Sequence, residues 1–164
     1  MNQPTLPSIR VSLAEQTLRW QSANGERRQW AVSTAANGAG QQQGSGCTPL
    51  GRHYVRARIG EGQPINTVFI ARRPSGEIYS EALGRQQPGR DWILTRILWL
   101  CGCEPGFNRL GQVDTMRRFI YIHGCPDHFP MGRPLSHGCV RMRNRELLEL
   151  FDLSPVGTQV EIVK

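Results

Sequence analysis

Short runs of alternating apolar and polar residues, each closed by turn-forming residues, recur along the chain and confine it to a β-rich architecture. Ile9, Val11 and Leu13 alternate with polar neighbours, Leu18-Arg19-Trp20 leads to an Asn24-Gly25 turn, and a return strand follows around Trp30 to Ser33. This is a hairpin pattern. Residues 34 to 48 are rich in Gly, Ala and Gln, lack periodicity and read as a long loop before Thr48-Pro49-Leu50-Gly51. Strands are expected over His53 to Ile59, over Thr67 to Ala71, and over Ile78 to Ser80 after a Pro74-Ser75-Gly76 turn. Trp92 to Leu100 fits a helix face or a buried strand, and its brevity and β-branched content favour the strand. Arg118 to Ile122 reads as a strand ending at His123. One helix is expected from Asn144, as N-cap, to Leu153, with Leu147, Leu148 and Phe151 on one face, followed by a last strand from Gln159 to Val163. The fold class is mainly β, a sandwich or barrel.

A chain of 164 residues, 38% hydrophobic, is expected to form one domain over 1–164, with a core large enough to need no disulfide framework. Its five cysteines, Cys47, Cys101, Cys103, Cys125 and Cys139, are an odd number, so at least one is a thiol or pairs between molecules. The start from Met1 to Ser8 has neither a basic nor an apolar leader region. That favours a cytoplasmic location, or a periplasmic one if the sequence has been trimmed. The most apolar stretch, the 12 residues from Trp92 to Cys103, is interrupted by Thr95 and Arg96, against the roughly 20 residues of a membrane span. No membrane span is expected. Twenty basic and 13 acidic residues give a net charge of +7, and only Lys164 among the bases is not arginine. Such a surface attracts anions. The arginines are scattered, with no basic run and no RNA-binding aromatic motif, which argues against nucleic acid and leaves small carboxylate ligands.

The chemistry is concentrated between Ile122 and Met142, where three of four histidines and two of five cysteines fall within 17 residues. A cysteine nucleophile needs a basic neighbour to take its proton and donors to hold the oxyanion it creates. Ser136-His137-Gly138-Cys139 offers candidates for both, with His123-Gly124 upstream. A competing reading makes Cys125, His128, His137 and Cys139 zinc ligands, although His-X-Cys is tighter than usual ligand spacing. Cys47, Cys101 and Cys103 read as small buried hydrophobes, and His53 and His128 as surface or loop residues.

Ile122-His123-Gly124, Ser136-His137-Gly138-Cys139-Val140-Arg141-Met142, the following helix and Gly157-Thr158-Gln159-Val160 together resemble the catalytic core of the YkuD-type L,D-transpeptidases. Upstream, Val32-Ser33-Thr34, the Gly-rich loop and Thr48-Pro49-Leu50-Gly51 extend the likeness over residues 9 to 163. The resemblance implies a β-sandwich with one or two short helices and a catalytic cleft, and no cofactor or metal. Cys139 would be the nucleophile, and His123 its base, oriented by the carbonyl of Gly124. Gly138 and Cys139 N–H groups, with His137, would hold the oxyanion. Ser136 and His137 would shape the site, and Arg141 would brace the nucleophile loop or meet a substrate carboxylate.

Members of that family act on murein tetrapeptides between meso-diaminopimelate and the terminal D-Ala. Water as acceptor would make this chain an L,D-carboxypeptidase of murein recycling, the reading a cytoplasmic location favours; an amine of another stem would make it a transpeptidase forming 3-3 crosslinks. A non-catalytic module, zinc-stapled or anion-binding, is the alternative of another class. Carbapenem-type β-lactams would acylate Cys139. Cys125 stands where the family commonly has Thr after His-Gly, and the segment from His123 to Ser136 is short. Cys125 is expected to fill Thr-sized space rather than pair oxidatively with Cys139.

Overall fold

The computed structural model describes residues 5–164; the reading made of Met1 to Pro4 lies outside them. The mainly β expectation holds. Strands β1 (Ser8–Ser12), β2 (Thr17–Gln21) and β3 (Arg27–Ala31) form an antiparallel meander, and β10 (Gln159–Val163) returns parallel to β1. β4 (Gly51–Ile59) pairs β10 on one edge and β7 (Leu94–Gly102) on the other. β7 then pairs β8 (Tyr121–Gly124), and β8 pairs the three-residue β9 (Val140–Met142) in parallel. Arg141 of β9 exchanges both backbone hydrogen bonds with Ser33, 3.0 and 2.9 Å, just past β3. The sheet therefore curls until its two ends meet.

One face of this sheet encloses the main core of Val11, Leu18, Leu98, Leu100, Ile122, Val140 and Met142, closed by Leu147, Leu150 and Phe151 of helix α2 (Asn144–Leu153). β5 (Thr67–Ile70) and β6 (Arg73–Ile78) form a hairpin beside the start of β7, followed by the short helix α1 (Glu81–Gln86). Phe69 of that hairpin packs with Ile97 and Tyr121 on the opposite face of the sheet. No described helix is long and apolar enough to cross a membrane.

Several expected boundaries move, each for a physical reason. β3 begins before Trp30 because pairing to β2, not apolar alternation, defines it. The turn expected at Pro74-Ser75-Gly76 lies instead at Ala71-Arg72, both at positive φ, as a tight hairpin turn requires. Pro74 sits in β6, a strand with a single partner, where its missing N–H is tolerated. Ser80 belongs to no strand: it caps α1, its Oγ accepting from Leu83 N at 3.1 Å. β8 starts at Tyr121 rather than Arg118, because the Asp114 carboxylate accepts from the N–H groups of Leu110 and Arg117 and winds the preceding segment into a turn. Arg143, not Asn144, is the N-cap of α2, whose buried face includes Leu150 rather than the half-buried Leu148. Cys101 is buried as expected, whereas Cys47 and Cys103 are only partly so.

His53 is not a surface residue. It points from β4 into the interior, where Nδ1 donates to Gly51 O and Nε2 accepts from Thr115 Oγ1, each at 3.0 Å. Burial lowers its pKa from 6.5 to about 4. The unfolded chain thus takes up this proton first, so the stabilisation is complete above pH 6.5 and is lost as pH falls towards 4. Its size is about 3 kcal/mol. Chemical denaturation at pH 7 and pH 4 should show wild type losing about that much more stability than His53→Gln; parallel losses would refute the assignment.

Candidate active site

Parallel pairing places His123 opposite Arg141 and Ile122 opposite Val140. Continuing this register by one residue sets Tyr121 beside Cys139. Side chains alternate along a strand, so Ile122 and Val140 enter the core while Tyr121, His123, Cys139 and Arg141 share the outer face. The sequence segments singled out for chemistry are thus brought together by two short strands.

His123 is buried, and its Nδ1 lies 2.6 Å from Gly124 O. A carbonyl only accepts, so Nδ1 carries the hydrogen and Nε2 keeps its lone pair. Desolvation lowers the pKa of His123, with Gly124 O and Asp91 opposing and Arg141 reinforcing the shift, which favours the neutral ring. Gly124 has no space for a side chain: a Cβ there would meet Asn144 Oδ1 and, at 2.6 Å, Leu94 O.

Cys139 keeps a partly exposed edge, yet the protein around Sγ pushes its pKa up to about 12, desolvation outweighing the Tyr121 N–H that donates to Sγ at 3.3 Å. Sγ–H points to Phe119 O at 3.4 Å. At neutral pH the pair is therefore a thiol and a neutral imidazole rather than a preformed ion pair.

The Ser-His-Gly-Cys turn is fixed from two sides. Ser136 Oγ donates to Cys139 O at 2.6 Å and accepts from Gly138 N at 3.2 Å, while Thr48 Oγ1 donates to Gly138 O at 2.9 Å and accepts from Ala35 N at 3.0 Å. Gly138 adopts φ +134°, and a Cβ there would press on Cys47 O at 3.2 Å. Its amide is committed to Ser136, whereas Cys139 N–H has no hydrogen-bond acceptor among the described residues. His137 projects into solvent with Nδ1 3.8 Å from Asp91 Oδ1. Arg141 is 7% exposed: Nη1 donates to Leu135 O at 3.2 Å and Nη2 lies 3.4 Å from Asp91 Oδ1, the geometry of a brace.

Cys125, just past the end of β8, is buried with its Sγ on Met142 O at 3.6 Å, and burial raises its pKa to about 12. That burial is compatible with space filling, and the thiol is engaged by the Met142 carbonyl. His128 is exposed. The proposed zinc ligands thus face different environments, and no three His, Cys, Asp or Glu side chains converge on one point among the described residues.

The sequence assigns no part in the site to Thr48, Asp91, Arg118 or Asn144. Thr48 stood in a motif already noted, but Asp91 carries no local signal. Arg118, read as scattered charge, donates to Gly40 O, Gln41 O and Cys47 O and ties the Gly-rich loop to the site. Asn144 bridges Thr95, Cys125 O and Asp127 beneath β8. Beside His137 and Arg141 opens a cavity of about 620 Å³ walled by Tyr79, Trp92, Phe129 and Arg90.

The model of the YkuD L,D-transpeptidase catalytic domain matches residues 7–162. A stretch of 46 residues is 46% identical to the protein named "Probable L,D-transpeptidase YbiS" of Escherichia coli K12, covering 28% of this chain and 15% of that one. The fold is shared with an L,D-transpeptidase structure from Xylanimonas cellulosilytica (TM-score 0.58, 18% identity, 99% of this chain and 62% of that one). It is shared also with the L,D-transpeptidase LdtMt1 in complex with imipenem (TM-score 0.54, 18% identity, 96% and 58%). The chain spans less than two thirds of each of these proteins.

Thr48→Val keeps shape but strands Ala35 N–H and Gly138 O in the interior. It should lower the free energy of unfolding by about 2 kcal/mol, measured by urea denaturation, with Thr48→Ser close to wild type. A loss below about 0.5 kcal/mol would show that the hydroxyl does not hold the turn.

Proposed function

The chain belongs to the YkuD family of L,D-transpeptidase catalytic domains, and on that basis we propose that it cleaves the meso-diaminopimelate to D-Ala bond of murein tetrapeptide stems through a thioester on Cys139. The observation that carries this reading is the common face on which β8 and β9 set His123 and Cys139.

Cys139 Sγ attacks the diaminopimelate carbonyl carbon, and its proton passes to Nε2 of His123, the nitrogen left free by the Nδ1 bond to Gly124 O. Cys139 N–H, unpartnered at rest, donates to the oxyanion; the amide of Gly138 joins it if its bond to Ser136 opens. Collapse breaks the C–N bond, and the proton on His123 goes to the departing amine of D-Ala. Beginning from a neutral thiol and imidazole delays charge separation until substrate has displaced water, when fixed donors act most strongly. Ser136 and Thr48 position the nucleophile turn, and Arg141, through Asp91, positions its flank. The aromatic and arginine walls of the adjoining cavity suit a peptide that ends in a carboxylate.

Water then releases a tripeptide, the carboxypeptidase outcome; an amine of a second stem gives a 3-3 crosslink, the outcome the family's name supports. Mass analysis after incubation with soluble disaccharide tetrapeptide should show free D-Ala from wild type and none from Cys139→Ala, with tripeptide marking hydrolysis and crosslinked dimer marking transfer. D-Ala release by Cys139→Ala would overturn the proposal. Imipenem should add its mass to a peptide containing Cys139, extending to this chain what the LdtMt1 structure contains. Modification at Cys47, Cys101, Cys103 or Cys125 instead would contradict the site.

A further inference from the structure

The sheet face that carries the site continues well beyond it. Trp99 of β7 lies opposite Tyr121, and Cys101, two residues on, lies opposite Tyr54 of β4. Two residues before Tyr54, Arg52 begins an unbroken cross-sheet row in which Arg52, Glu161, Arg10, Arg19 and Gln29 pair in succession over five strands. Paired residues point the same way and alternate residues share a face, so this row lies on the side of the sheet that carries Cys139.

A concavity of about 620 Å³ covers the row and is bordered also by Arg27, which makes four arginines on this face against one glutamate; Arg28 stands opposite the core residue Trp20, points the other way and pairs with Glu26 at 2.9 Å. Arg10 approaches Glu161 only to 3.9 Å and Arg19 pairs with Glu15 at 3.0 Å, yet both arginine side chains stay more than half exposed, at 57% and 54%. Arg27 and Arg52 have no carboxylate partner among the described residues. Between row and site, the guanidinium groups of Arg56 and Arg72 lie 5.8 and 4.8 Å from the ring of Trp99. Glu161 stands between Arg52 and Arg10, but Arg10 and Arg19 face each other directly, a like-charge pair that destabilises a sheet; packing does not account for that pair or for the unpaired Arg27 and Arg52, whereas an anionic ligand does.

Distance decides which anion. From β9 to β1 are five strand steps through β8, roughly 24 Å, and the shorter way round the curl, across to Ser33, back along that strand to Gln29 and over β2, is three strand steps and four residues, roughly 19 Å on the diagonal, whereas an extended tetrapeptide spans at most about 14 Å. A stem held at Cys139 cannot reach Arg10; a polymer bearing carboxylates at intervals can. No exposed aromatic side chain lines the concavity to stack nucleic-acid bases, while guanidinium forks match carboxylates.

Building on the murein reading above, we propose that the arginine row is a second docking surface, which binds stem-peptide carboxylates elsewhere on the same murein polymer while one stem occupies the Cys139 site. Polymeric murein is then a better substrate than soluble fragments.

The test uses insoluble sacculi freed of phosphate polymers, the whole chain, and the variant Arg10→Gln/Arg19→Gln/Arg52→Gln, none of which belongs to the catalytic machinery. Wild type should co-sediment with sacculi and be released by salt. The triple variant should bind about tenfold more weakly, as three exposed ion pairs predict, with its thermal midpoint and D-Ala release from soluble tetrapeptide unchanged. Sacculi whose carboxylates have been amidated should retain neither protein. Equal retention of wild type and variant, or wild-type retention on amidated sacculi, would overturn the docking surface. Failure of the catalytic reading would appear separately, as no D-Ala release from soluble tetrapeptide by either protein.

Discussion

The pairing of β9 along both of its edges is the constraint from which the site follows. Three residues are too few to hold a strand in place on their own; β8 pairs one edge and Ser33 the other, so Arg141 is bonded on both sides. This double attachment closes the curl of the sheet over its core and fixes the register in which His123 and Cys139 share the outer face. A slip of one residue would turn Cys139 inward and Val140 outward. The hydroxyls of Ser136 and Thr48 then hold the turn that leads into β9. The glycine at 138 allows that turn to lie against the Gly-rich loop.

Electrostatics follow from the same enclosure. Desolvation raises Cys139 to about 12 and lowers His123, so the folded protein stores no thiolate and imidazolium pair. Cys125 is raised to the same value, which shows that a perturbed thiol alone does not mark a nucleophile. What separates the two is surroundings: Cys139 shares a face with an imidazole whose free nitrogen is fixed by Gly124 O, while Cys125 packs on the carbonyl of Met142. Asp91 raises both the pKa of His123 and that of Cys139, while also meeting Arg141 and His137.

Strands defined by alternation were legible in the sequence: β1, β2, β4 and β10 lie where apolar periodicity places them. Elements defined by partners were not. The edge strand β6 carries a proline, β3 gains its start from β2, and the turn before β8 is wound by a carboxylate rather than by glycine or proline. Asn144 looked like a helix cap because Asn is a good one, but its amide is needed beneath β8 to bridge Thr95, Cys125 and Asp127. His53 looked exposed because a lone histidine carries no signal of the threonine and carbonyl that satisfy its two nitrogens. Among the site residues, those within the two motifs could be named from sequence. Asp91, Arg118 and the arginine row could not, since each acquires its meaning only from strand register or loop packing.

The central claim is that Cys139 forms a covalent bond to the stem peptide with His123 as its base. The most direct measurement is the intact mass of the protein quenched shortly after mixing with soluble tetrapeptide, followed by peptide mapping. The account predicts an added mass equal to the stem less D-Ala, carried by Cys139 and lost in Cys139→Ala, and much reduced in His123→Gln. Turnover without any adduct in either protein, or an adduct on another residue, would contradict it.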